Sequence, residues 1–557
     1  MSPVTSKLAW RPMAGGRAAG SGGRSRALTG ARELARLAFR RDRVLLPVWV
    51  YALTAISASG GYALKEVYKT AASRASLATS VVRDPALSFL YGQLHGSSLG
   101  ALVSWRYLAY ASVGAALMSI FVVIRHTRAD EETGRLELIG SAVVGRNAAL
   151  AVALMLAAAA NLIVMVLVAA VLTITGLAAS GAIAFGLAVA GCGLVFAALA
   201  AIAAQVSGTA RGARGMVIAA LAVSFLLRGI GDSAARHGDS WVSWLSPIGW
   251  GEMLRPFGAE RWWVLLIPAA FAAIGVAVAF ALAARRDLGA GLVQPRPGPA
   301  TASRWLRGPA GLAWRLQRGS LAGWTAGFLL GGIAVGVVAN GVGQLLGSSK
   351  GLENAISKLG GEGAFTNAYI AAVMGLFGLI AAAYATSAVL RLRSEETAGR
   401  AEPVLAGPVG RLHWAGSHLL VVAAGTAIVL AAAGFGAGIG YGLAISDVSG
   451  QLPRLMGAGI VQLPAALAIA AVAVAVSGLA PRWSVAAGWS ALAICGVIAI
   501  FGPTLKLSHW IQDISPIGHV PKLPGAAATP VPLIWLSAVA LVLAFAGLAG
   551  LRCRDIG

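Results

Sequence analysis

The residues best able to do chemistry in this 557-residue chain are acids and arginines crowded together in two places. One stretch reads Asp130-Glu131-Glu132-Thr133-Gly134-Arg135 and continues to Glu137, Gly145 and Arg146. The other reads Glu395-Glu396-Thr397-Ala398-Gly399-Arg400 and continues to Glu402, Gly410 and Arg411. They align without a gap at an offset of 265, pairing Gly134 with Gly399, Arg135 with Arg400, Glu137 with Glu402 and Arg146 with Arg411. Leu136, Leu138 and Ile139 follow in the first copy, and Val404 and Leu405 in the second. Such a pattern suits a short helix lying along a surface, with acids in its first turn where the helix dipole favours them. The chemistry it offers is recognition by charge. A loop that served only to orient the chain would need arginine, not acids and glycines repeated twice, so docking is the preferred reading.

Catalysis has no comparable support. The nearest approach to a Walker A pattern, Gly347-Ser348-Ser349-Lys350, has the wrong spacing, and there is no His-Glu-x-x-His, no Gly-x-Ser-x-Gly elbow and no Cys/His cluster at metal spacing. No catalytic residue, metal site or bound cofactor is expected. Cys192, Cys495 and Cys553 form no disulfide framework.

The elements that position these loops are written in hydropathy. The chain is 58% hydrophobic and 12% charged, against about 45–50% and about 25% in soluble domains. Its apolar residues fall into runs at 44–64, 107–124, 147–173, 180–205, 215–231 and 263–283, then 319–341, 367–390, 414–441, 456–478, 485–502 and 531–551. Crossing a bilayer takes about 20 such residues. The expected fold is therefore an all-α integral membrane protein with about twelve transmembrane helices.

The net charge of +23 would suggest nucleic acid in a soluble protein. With the N-terminus inside and the spans alternating, 30 of the 44 Lys/Arg fall on inner segments. That is the positive-inside bias, and it assigns the charge to topology and lipid headgroups, with both termini cytoplasmic.

Two further matches extend the repeat. Ser246-Pro247-Ile248-Gly249 answers Ser515-Pro516-Ile517-Gly518 at an offset of 269, and Arg43 and Trp49 answer Arg318 and Trp324. Each Ser-Pro-Ile-Gly reads as a helix start, Ser as cap and Pro at the first position. Three matches in one order indicate duplication. Six spans per half is an even number, so the repeats are parallel, with a central pathway between them. The expected organisation is a basic tail at 1–26, a first half at 27–286, a Pro/Gly-rich cytoplasmic linker at 287–308 and a second half at 309–557. Residues 28–42 and 304–318 each suit an amphipathic segment in the inner interface, the second interrupted by Gly308-Pro309. Trp241, Trp244, Trp250, Trp262 and Trp263 suit an outer aromatic belt.

Within the spans, ionisable residues are nearly absent. Every Asp and Glu falls in a loop or at a run boundary, which argues against proton coupling and for energy supplied from outside the membrane. Arg228 alone interrupts a run. It either faces the pathway and meets a polar or anionic substrate group, or snorkels outward and pairs with Asp232 at i+4; snorkelling is the expected reading.

Six helices per half, a basic interfacial segment before the first, a charged loop after the second and a Pro-containing outer segment before the last resemble the permease subunits of type-2 (type V) ATP-binding cassette exporters. The fused form, with Glu131-Glu132-Thr133-Gly134-Arg135 and Glu395-Glu396-Thr397-Ala398-Gly399-Arg400, resembles the actinobacterial tetronasin-resistance and multidrug permease group. The resemblance covers residues 28–557. It implies a bacterial plasma-membrane location and a separate cytoplasmic ATPase, a homodimer that uses ATP and Mg. It also makes coupling helices of the loops bearing Glu131, Glu132, Gly134, Arg135 and Glu137, and Glu396, Gly399, Arg400 and Glu402. The implied activity is export of a hydrophobic or amphiphilic compound (drug, antibiotic or lipid) by alternating access. The competing readings are a secondary drug transporter driven by an ion gradient and a non-transporting membrane scaffold. Thr397 stands where the first copy has Glu132, so the two loops are not chemically identical.

Overall fold

A computed structural model describes residues 28–554, except 84, 141–142, 235–239, 288, 294–300, 302, 304–305, 307, 348–361 and 502–507. The tail at 1–26, most of the linker and Ser348-Ser349-Lys350 therefore lie outside the described residues. In a medium without water, each backbone N–H and C=O needs a partner within its own segment, and the α-helix supplies one. Apart from one isolated bridge, Ser207 to Val293, the regular elements of the described residues are helical. Eleven are long and apolar enough to cross a membrane, and the count rises to twelve when a bent pair near the N-terminus is taken as one span. The apolar runs fall within these helices to within a residue or two. The protein is an all-α integral membrane protein.

The chain divides into two compact units, 1–296 and 297–557. In the first, α1 (Ala31–Arg41) bends by 65° into α2 (Leu45–Val67). Then come α3 (Ala71–Arg83), α4 (Pro85–Tyr91) and the long α5 (Leu99–Arg125), which is followed by the short α6 (Arg128–Glu132) and α7 (Arg135–Gly140). The remaining spans are α8 (Ala148–Ile174), α9 (Ala179–Val206), α10 (Ala210–Ala234) and α12 (Leu266–Ala284), with a short α11 (Pro247–Met253) between the last two. The core lies on α5 and α9, where Val103, Met118, Phe185 and Phe196 are buried. By contrast, α8, α10 and α12 leave Ile163, Val223 and Ile274 exposed, as faces turned to lipid do.

The second unit runs α13 (Pro309–Gly347), α14 (Glu362–Thr397), α15 (Glu402–Leu405), α16 (Arg411–Ala444), α17 (Val448–Ile460), α18 (Leu463–Leu479), α19 (Ser484–Phe501), α20 (His509–Gln512) and α21 (Pro530–Cys553). α13 and α16 meet backbone to backbone. A Cβ on Gly332 would lie 2.2 Å from the Ala433 carbonyl oxygen, and one on Gly436 would lie 2.2 Å from that of Leu329. The pairs Gly332/Gly336 and Gly436/Gly440 are four residues apart, the small-xxx-small spacing that lets membrane helices approach closely.

Three expectations are corrected. The amphipathic segment of the first half exists as α1, but residues 309–318 of the second belong to α13 itself, with Pro309 at its start. Pro at a first helical position costs nothing, because that N–H has no intrahelical partner anyway. The repeated acids are also not in the first turn of a separate surface helix in both copies: Glu395 and Glu396 end α14, where the helix dipole opposes them. Finally, Trp241, Trp262 and Trp263 are exposed as a belt would be, but Trp250 is buried and donates its ring N–H to the Trp244 carbonyl at 2.6 Å.

Candidate functional site

The two acidic loops lie at the end of each unit that carries its clustered arginines, called here the basic end. In the first unit, Glu131 points inward, with only 6% of its side chain exposed. Arg128 meets it at 2.6 Å, and Arg286, just past α12, forks onto both carboxylate oxygens, one N–H bond measuring 2.8 Å. Arg286 also donates to Gln205 at 2.6 Å. The far side of Arg128 reaches the carbonyls of Gly208, Gly289 and Ala290. One buried acid thus gathers three connections: the loop after α5, the turn before α10 and the segment after α12. Glu132 accepts the Ala210 N–H at 3.0 Å, which satisfies one of the open donors at the start of α10.

Glu132 and Thr133 are exposed, and the exposed stretch runs on beyond them. Gly134 turns the chain at φ +70°, a left-handed conformation that ends α6. Beyond it, Arg135 is 55% exposed and sits 3.6 Å from Asp130, while Glu137 and Leu138 are exposed. Asp130 itself holds Arg41 of α1 at 2.6 Å.

The second unit repeats the arrangement. Glu396 is 5% exposed, 3.0 Å from Arg393 and 2.7 Å from Arg554 just past α21. Arg554 reaches both oxygens of that carboxylate. Glu395 binds Arg400 at 2.7 Å, as Asp130 binds Arg135. Gly399 turns at φ +66°, and Glu402 opens α15 exposed. The sequence reading missed Arg128, Arg286, Arg393 and Arg554. Arg128 and Arg393 share the offset of 265, so the repeat did carry a signal for them.

Near the corner between α1 and α2, Asp42 is fully buried, with Oδ2 2.6 Å from His126 Nε2 and Oδ1 3.3 Å from Arg125. Burial acts to raise the pKa of this carboxyl. The bond to His126 and the charges of His126, Arg125 and Arg41 outweigh it and hold the group below its usual value.

At the opposite end of the first unit, Arg228 does not snorkel. It is fully buried, 3.0 Å from Glu252 of α11 and 3.7 Å from Asp232, and it donates to the Phe89 and Leu90 carbonyls at 2.9 and 3.2 Å. Asp232 also accepts from Ser243 at 2.8 Å. The expected i+4 pair forms, but turned inward, because α11 brings a second carboxylate from 24 residues away. Glu252 does lie between two spans, where the sequence puts the acids, yet it is buried at 5% exposure. α11 starts as its sequence predicts: Ser246 accepts the Gly249 N–H at 3.2 Å. Its hydroxyl also donates to the Ser224 carbonyl of α10 at 2.7 Å. In the second copy Ser515 donates likewise to the Cys495 carbonyl of α19 at 3.1 Å, but caps no helix, and a short 3-10 turn follows.

Eleven or twelve apolar helices among the described residues, in two similarly built units with charged loops at their ends, define a multi-pass membrane protein. Residues 306–552 match the family described as Multidrug efflux system permease Rv1217c, C-terminal domain. Over 539 residues the chain is 43% identical to the multidrug efflux system permease protein Rv1217c of Mycobacterium tuberculosis, covering 96% of each chain. The chain belongs to this family of multidrug efflux permeases.

Proposed function

We propose that this chain is the membrane subunit of an ATP-driven exporter and moves a hydrophobic or amphiphilic compound, such as a drug, an antibiotic or a lipid, out of a bacterial cell. Energy comes from a cytoplasmic ATP-binding cassette ATPase, a homodimer holding ATP and Mg, which docks on the loops at the basic end. The relationship to a multidrug efflux permease over nearly its whole length carries this reading. The docking faces would be the exposed Arg135, Glu137 and Leu138 in the first unit and Arg400 and Glu402 in the second. Glu131 and Glu396 would brace these faces from behind, because their carboxylates are occupied.

A second reading, export driven by an ion gradient, draws on one observation: the buried carboxylates Asp232 and Glu252 around Arg228, groups of the kind ion-coupled carriers use. One experiment separates the two. The tagged chain is purified, a co-purifying nucleotide-binding protein is identified, and export of a fluorescent hydrophobic dye is followed in cells. Export should stop when the partner's phosphate-binding lysine is replaced. Export that continues without the partner and collapses with an uncoupler sinks the ATP-driven reading.

A further inference from the structure

The salt bridges at the basic end bind the same three parts of the chain in both units. Arg286 follows α12 and forks with two nitrogens onto Glu131, the buried glutamate of its own loop; Arg554 follows α21 and bonds both oxygens of Glu396 from one nitrogen, Nη2. The arginine that begins the next span closes the ring from the other side. Arg146 donates to the Arg286 carbonyl at 2.6 Å, and Arg411 donates to the Arg554 carbonyl at 2.7 Å. Each loop is therefore fastened at both of its ends to a residue just beyond the last helix of its half. A fork onto a carboxylate fixes direction as well as distance, which a single lysine contact does not.

We propose that Arg286 and Arg554 are the transmission residues of the export cycle, each making the docking loop and the last transmembrane helix of its half move as one body. This rests on the ATP-driven reading above and names the parts of the chain that receive the stroke. Displacing the loop pulls on Glu131 or Glu396, and the arginine hands that displacement to α12 or α21. These are positioning residues; neither touches the exported compound.

The test uses the full chain with its co-purified ATPase in proteoliposomes, measuring ATP hydrolysis and dye export together. Wild-type vesicles without ATP-dependent export would overturn the ATP-driven reading itself, before any variant is made. Given such export, Arg286→Gln and Arg554→Gln should each lower export per ATP about tenfold, within the usual range of coupling between sites, with partner binding and hydrolysis retained. Should a glutamine variant fail to reach the membrane, Arg286→Lys, which keeps the charge and loses the fork, should give an intermediate ratio. A bridged variant adds a second readout. Glu131→Cys with Arg286→Cys, in a Cys553→Ser background because Cys553 is the exposed thiol, should be uncoupled when reduced. It should recover when a short bis-methanethiosulfonate joins the two thiols. An unchanged export-to-ATP ratio in the glutamine or lysine variants would reduce the arginines to structural braces. A bridged form that blocks export would show that loop and helix must part during the cycle. Either result overturns the proposal.

Discussion

Arg228 shows how one residue can be half legible. Its i+4 partner Asp232 follows from helical spacing, but Glu252 lies on a short helix that hydropathy assigns to a loop between spans. Whether a long cation turns toward water or into the protein depends on a carboxylate 24 residues away, and no local pattern reports that. Replacing Arg228 by Leu strands Asp232 and Glu252 beside one another, at a cost of about 3–5 kcal/mol. A clear drop in the thermal unfolding midpoint in detergent is expected, with Arg228→Lys between it and the wild type; an unchanged midpoint would contradict the burial. Asp42 makes a prediction with a sign. Its folded pKa lies below the ordinary value of 3.8, so the charged form stabilises the fold. That stabilisation is present above about pH 4 and is lost as pH falls through the depressed pKa. Asp42→Asn should therefore lower the unfolding midpoint at pH 7, and the gap to the wild type should narrow at acid pH.

At the scale of elements, the spans were readable because the length of an apolar run is a local property. The direction in which a charged loop faces was not. Glu131 and Glu396 look like docking acids in sequence, yet arginines 155 and 158 residues onward turn them inward. Charge reversal of the docking face consequently belongs at Glu137 and Glu402. Glu137→Lys with Glu402→Lys should weaken ATPase co-purification while leaving the folded yield unchanged. Packing between helices was equally hidden: glycine is abundant, with 72 residues, but which of them face another helix is a tertiary fact. Replacing Gly332 by Ile forces its side chain into the Ala433 carbonyl of α16 and should sharply reduce the yield of folded protein in a detergent-solubility assay. Gly323, with nothing near its Cβ, should accept the same change.

Across the whole molecule, duplication was the most informative sequence signal, and the equivalent ion pairs in each unit give it physical content. The halves are nevertheless unequal. The buried group around Arg228 belongs to the first, where the second has Gly496 at the position matching the arginine, and although Ser246 and Ser515 both donate to the preceding span, only Ser246 also caps a helix. Two docking loops in one chain suit two ATPase subunits, and native mass spectrometry of the purified complex should report one permease chain to two ATPase chains. The ring of arginines at each basic end has a further consequence, for biogenesis. It closes between α5 and α12 in one unit and between α14 and α21 in the other, so neither half borrows a residue from its neighbour to complete it. A gene cut between codons 296 and 297 should therefore yield two polypeptides that each insert and resist protease on their own, as two separate translation products would.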